Sequence, residues 1–176
     1  MLGTLCALVP AAIAAIRLDP VCWVFVAVLF LHASADYVLE FRFEIGMGLF
    51  LLGHVCYIIG FLKLFPLSAT HLILLIACLV YLAFLMYRNR KRLDKNLPVF
   101  VIYGIVLSLM IACGIAGGAT TYSIKGVMIM FGAALFFFSD HLLLNRILSG
   151  GGKATDWIIM ITYYASQLLL GGSCLF

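Results

Sequence analysis

Charge is scarce in this sequence. Seven Asp and Glu and eleven Lys and Arg are spread over 176 residues, 10% of the chain, where a soluble domain carries about a quarter. That scarcity excludes a disordered chain. It also excludes a nucleic-acid partner, because the net charge of +4 rests on few cations and five of them (Arg88, Arg90, Lys91, Arg92, Lys95) crowd into one short stretch. Cysteine chemistry is missing as well. Cys6, Cys22, Cys56, Cys78, Cys113 and Cys174 show neither CxxC nor Cys/His metal spacing and read as small apolar residues. No polar stretch is long enough for a separate soluble domain. What abounds is apolar: 66% of residues are hydrophobic and the mean hydropathy is +1.22. Residues 1–176 therefore read as a single integral membrane domain, an all-α polytopic bundle whose first partner is the lipid bilayer. At about 20 residues per span the length allows seven transmembrane helices, eight at most.

Apolar runs between charged or Gly/Pro-rich breaks place spans near 2–17, 21–40, 45–63, 67–87, 97–118, 124–148 and 156–175. The first run lacks a basic leader and Arg17 follows it, so it is expected to stay as helix 1 and not to be cleaved as a signal peptide. With the Arg88–Lys95 run inside, the cytoplasmic set is Arg42, Arg88, Arg90, Lys91, Arg92, Lys95, Arg146 and Lys153, eight cations, against Arg17, Lys63 and Lys125 outside. The bias sets the N-terminus in the cytoplasm and the C-terminus outside. The membrane is expected to be the inner membrane of a bacterium or the endoplasmic reticulum of a eukaryote.

Five of the seven carboxylates lie at the breaks, where water solvates them. Asp36 and Asp140 lie within spans 2 and 6. An aspartate at depth costs about 2.5–3.5 kcal/mol on insertion scales and usually faces the bundle interior at a site; the competing reading is a helix-pairing hydrogen bond. Spans 2 and 6 run the same way, and both acids fall in the cytoplasmic-side third. Spans 3 and 7 start on that side and bring His54, Tyr57, Tyr163, Tyr164 and Gln167 to reachable depth. Tyr163 and Gln167 share a helix face at i, i+4, and His54 and Tyr57 at i, i+3. Gly46, Gly53 and Gly60 recur every seven residues and allow close helix packing, as does the Gly132, Phe136, Asp140 series. His32 lies one turn before Asp36 on the same face, where it either orients that acid or, more commonly for a lone intramembrane His, serves as a packed hydrogen-bonding residue. His71 and His141 have no partner at metal spacing, so no metal is expected. Gly150-Gly151-Gly152-Lys153-Ala154-Thr155 lacks the first Gly and the Ser/Thr directly after Lys of a phosphate loop. It reads as a flexible connection, and no cofactor is implied.

These residues resemble the YhhN family of membrane proteins, whose characterised members are lysoplasmalogenases. The family's Gly-Asp near the end of span 2 corresponds to Ala35-Asp36. Its Gly…His-x-x-Tyr corresponds to Gly53-His54…Tyr57, its Gly-Ala-x-x-Phe-x-x-Ser-Asp to Gly132-Ala133…Phe136…Ser139-Asp140 running on to Asn145-Arg146, and its Tyr-Tyr-x-x-Gln to Tyr163-Tyr164…Gln167. Ala35 stands for the usual Gly, and Pro10 follows Val9 where the family has Lys-Pro. The resemblance implies hydrolysis of the vinyl ether bond of an alkenyl lysophospholipid, giving a fatty aldehyde and a glycerophospho-base. Asp36 and Asp140 would be catalytic, and His54, Tyr57, Ser139, Asn145, Tyr163, Tyr164 and Gln167 would bind substrate and orient water.

Cleavage of a vinyl ether begins with protonation of its β-carbon; water then captures the oxocarbenium ion. That calls for one acid protonated at neutral pH and one carboxylate, the logic of glycosidic cleavage. Asp140, deeper and after three phenylalanines, is the better acid and Asp36 the carboxylate, with exchange of roles left open. Arg42, Arg146 or Lys153 could receive the phosphate, or be held there by the positive-inside bias alone. The alternative is a proton-coupled or lipid transporter using the two aspartates as a relay. An intramembrane aspartyl protease lacks its Gly-x-Gly-Asp, since Phe137-Phe138-Ser139-Asp140 stands in its place.

Overall fold

A computed structural model describes residues 2–176, except the side chain of Leu2. Every regular element among them is helical: α1 (Leu2–Arg17), α2 (Cys22–Leu39), α3 (Phe43–Leu64), α4 (Ala69–Leu93), α5 (Leu97–Thr120), α6 (Ile124–Ser149) and α7 (Lys153–Gly172), with short 3-10 turns at Asp94–Asn96 and Ser173–Leu175. Local signals set the ends. Ser68 and His71 form a reciprocal capping box on α4. Ser123 caps α6 by accepting from the Gly126 amide at 3.0 Å. Gly150, at φ 76°, ends α6 in a conformation that other residues rarely adopt.

Two boundaries depart from the sequence reading. α4 does not stop at residue 87 but carries the basic run as helix to Leu93. Arg and Lys are good helix formers, and the turn is tied by Asn89, which donates to the Leu85 carbonyl at 2.9 Å, and by Arg90 over the Tyr87 ring at 4.1 Å. α7 starts at Lys153, putting Asp156 in its first turn beside the helix dipole.

The helices close into a ring in the order α1, α2, α3, α5, α6, α7, each packed on the next, while α4 lies outside it against α5. Neighbours in sequence run antiparallel. Gly46, Gly53 and Gly60 of α3 face Leu39, His32 and Phe25 of α2 in descending order, and Gly104 of α5 faces Leu82 of α4. The glycine stripe thus serves the α2–α3 contact: a β-carbon on Gly53 would run into the His32 ring. Phe25, Tyr57, Phe61 and Phe136 fill the ring's interior with almost no exposure.

Leu, Ile and Phe cover much of the outside, including Leu72, Ile73, Ile76, Val80 and Phe84 along α4, as a lipid-facing surface requires. Five stretches are long and apolar enough to cross a membrane: Cys22–Leu39, Phe43–Leu64, Ala69–Thr120, Ile124–Ser149 and Lys153–Leu175. The sequence reading expects seven or eight crossings. The difference arises because α1 is only 16 residues long and because α4 and α5 join without a long break into a 52-residue stretch. The Leu82–Gly104 contact shows that stretch to be a hairpin.

Candidate active site

The rings of His32 (α2) and Phe136 (α6) meet at 5.6 Å. Because α2 and α6 run the same way, Asp36 and Asp140, each one turn further on, lie at one level. They point into different groups. Asp36 accepts a hydrogen bond from Thr4 of α1 at 2.8 Å, and the Thr4 and Tyr163 hydroxyls are 3.4 Å apart, so this acid ties α1, α2 and α7. Asp140 accepts from the Tyr103 hydroxyl of α5 at 2.7 Å. Between the two groups lie Phe136, in edge contact with Tyr163 at 5.7 Å, and Phe50, likewise at 5.9 Å.

Below this level, toward the starts of α2 and α6, the ring holds a buried polar core. His32 Nδ1 is 3.2 Å from Gln167 Oε1, and the Tyr57 hydroxyl donates to the same oxygen at 3.3 Å. His54 pairs through Nδ1 with the Phe50 carbonyl, and its ring lies edge-on to Tyr103 and Phe136 at 5.3 and 5.0 Å. Of the other expected site residues, Ser139 donates to the Ile159 carbonyl at 3.1 Å and joins α6 to α7. Tyr164 lies against Tyr163 with the rings tilted at 5.2 Å and packs on Gly3. Asn145 pairs with His141 Nε2 at 2.9 Å, and His141 Nδ1 with the Tyr81 hydroxyl at 3.0 Å. Hence Asp36, Tyr163 and Tyr164 form one neighbourhood, His54, Tyr57 and Gln167 a second, and Asp140 with Asn145 a third.

Asp140 opens onto a hollow between α4 and the ring, with a volume of about 100 Å³. Its walls are mainly Leu, Phe and Met, and its polar groups include Asp140, Tyr103, Tyr81, His141 and Ser108. Sequence reasoning missed Tyr103 and Thr4, the partners of the two acids. Each is a hydroxyl inside an apolar span, the one signal that marks it. His141, although one residue on from Asp140 and so turned about 100° from it along α6, faces the same hollow because α4 covers that side of α6. Arg146, one of the three cations expected near a phosphate, pairs with Asp156, its Nε 2.6 Å from Oδ1. Among the described residues no group of three His, Cys, Asp or Glu is arranged to hold a metal.

The family model of the YhhN family matches residues 1–174. No curated protein and no solved structure matches the chain.

Proposed function

The chain belongs to the YhhN family, and from that premise we propose that it hydrolyses the vinyl ether bond of a lysoplasmalogen in the membrane. The observation that carries this reading is Asp140 in the wall of an apolar hollow, its carboxyl fixed by Tyr103. Tyr103 occupies Oδ2, which leaves Oδ1 to carry a proton toward the hollow. Protonated Asp140 gives that proton to the β-carbon of the vinyl ether, whose π electrons form the new C–H bond. The oxocarbenium ion then faces the Asp140 carboxylate, which stabilises it and takes a proton from the attacking water. The resulting hemiacetal collapses to the aldehyde and frees the glycerol hydroxyl.

Asp36 is the second carboxylate. It acts through its field from across the Phe50–Phe136 layer, whose aromatic rings screen a charge less than water does. Seven crossings with the N-terminus inside put both acids in the cytoplasmic-side third, where a lysolipid can enter sideways past α4.

The test is aldehyde release by detergent-purified protein from an alkenyl lysophospholipid beside its acyl analogue. In deuterated water, with the aldehyde reduced as it forms, one deuterium is expected on the carbon next to the carbonyl. Release of fatty acid from the acyl analogue, or no aldehyde from folded protein, overturns the reading.

A further inference from the structure

Beside the hollow that holds Asp140 lies a second one of opposite character, about 480 Å³ in volume. Arg88, Asn89 and Arg92 enter it from α4, and His141, Asn145 and Ser149 from α6. Tyr81, Leu85 and His141 line both hollows, so the polar cleft continues the apolar one toward the ends of α4 and α6. Arg88 and Arg92 share a helix face at i, i+4, and neither has a carboxylate partner among the described residues, where the ion pair is Arg146–Asp156. Arg92 donates to Ser149 at 3.0 Å, which turns it across the cleft. Arg90 and Lys91, in the same basic run, do not line it. The positive-inside bias explains five cations in this run; it does not explain why two of them flank an amide, an imidazole and a hydroxyl.

We propose that this cleft binds the phosphodiester of a single-chain lipid, with Arg88 and Arg92 on its anionic oxygens, Asn145 beside them, and the chain in the apolar hollow. That the chain is an alkenyl ether cut at Asp140 rests on the hydrolase reading; the phosphate site does not. The spacing fits both. Asn145 is five residues beyond Asp140, about 7.5 Å along α6. In a lysoplasmalogen the vinyl ether oxygen and the phosphorus are five bonds apart, on the order of 6 Å when extended. A phosphate held at the arginines therefore brings the scissile bond to Asp140. Guanidinium groups suit this task because their paired N–H donors match phosphate oxygens.

The experiment measures binding to the full chain in a maltoside detergent, with a non-hydrolysable alkyl lysophospholipid, the same alkylglycerol without phosphate, and inorganic phosphate as competitor. The double variant Arg88→Gln/Arg92→Gln should weaken the lysophospholipid by about tenfold or more and leave the alkylglycerol unchanged. Arg88→Lys/Arg92→Lys should recover part of the loss. Arg90→Gln/Lys91→Gln, the same charge change off the cleft, should change neither. Inorganic phosphate, lacking a chain, should compete only weakly. Equal losses from both double variants would mean diffuse attraction to anionic lipid and overturn the proposal, as would equal loss on the alkylglycerol or no loss at all. Strong competition by inorganic phosphate would make the site one for the free ion. If binding behaves as expected but no aldehyde forms from an alkenyl lysophospholipid, the phosphate site stands and the hydrolase reading falls.

Discussion

Asp140 and Asp36 stand at one level but in different company, and the difference ranks their effects. A positioned general acid contributes about 10²–10⁴-fold, so Asp140→Asn should lower kcat by at least about a hundredfold. Asp36 acts only through its field across the aromatic layer, an interaction that weakens with distance, so Asp36→Asn should cost less than Asp140→Asn. Steady-state aldehyde release by both variants checks the order; a larger loss from Asp36→Asn would make Asp36 the acid and exchange the roles. Tyr103→Phe, which frees the Asp140 carboxyl to rotate, should lower kcat more than it raises KM. The costly carboxylates in apolar spans were readable in the sequence because any reader can see a charge where a bilayer resists one. Tyr103 and Thr4 were not, because a hydroxyl among apolar residues is cheap to insert and only the packing of α5 on α6 and α1 on α2 aims it at an acid. The separation of the acids by Phe50 and Phe136 was hidden for the same reason: helical spacing gives depth and face but not which side of the ring a face sees.

The helices themselves were legible to within a few residues wherever an apolar run meets Pro, Gly or charge, as at Asp19-Pro20 and Ser149-Gly150. The reading failed where charge does not end a helix, in the α4 extension. The α2–α3 pair supplies a clean test of what the glycine stripe does. A methyl on Gly53 meets the buried His32 ring, whereas one on Gly48, on the exposed face of the same helix, meets nothing within 4 Å. Gly53→Ala should destabilise by about 1–3 kcal/mol through overpacking. Gly48→Ala should be neutral or stabilising by up to about 1 kcal/mol through helix propensity. Thermal unfolding in detergent separates them, and equal midpoints would remove the packing role. The α4–α5 hairpin depends on one strained residue, Asp94, at φ 43° and ψ −117°. Only glycine adopts that conformation readily, and a β-branched side chain there costs on the order of 1–3 kcal/mol. Asp94→Gly should therefore hold or raise the unfolding midpoint, and Asp94→Val should lower it.

Closing six helices into a ring leaves α4 as a separate outer wall, and this makes the orientation of the α4–α5 hairpin decisive for function. The two hollows lie between α4 and the ring, and the basic run that flanks the polar one sits at the hairpin's tip. If the hairpin crosses the membrane twice, residues 67 and 122 share one side and residue 96 lies on the other. On the orientation expected from the eight-to-three distribution of cations the tip would lie in the cytoplasm, and the lysolipid phosphate would be taken from the inner leaflet. In a background with all six cysteines replaced, Leu67→Cys and Tyr122→Cys, both highly exposed, should react with a membrane-impermeant thiol reagent on intact cells. Phe41→Cys, Asn96→Cys and Gly152→Cys should react only after permeabilisation. The reverse pattern would move the cleft to the outer leaflet and with it the lipid pool it draws on. Labelling of all three of residues 67, 96 and 122 from outside would mean that the hairpin does not cross, and a chain-binding hollow beside α4 would then lose its access to lipid.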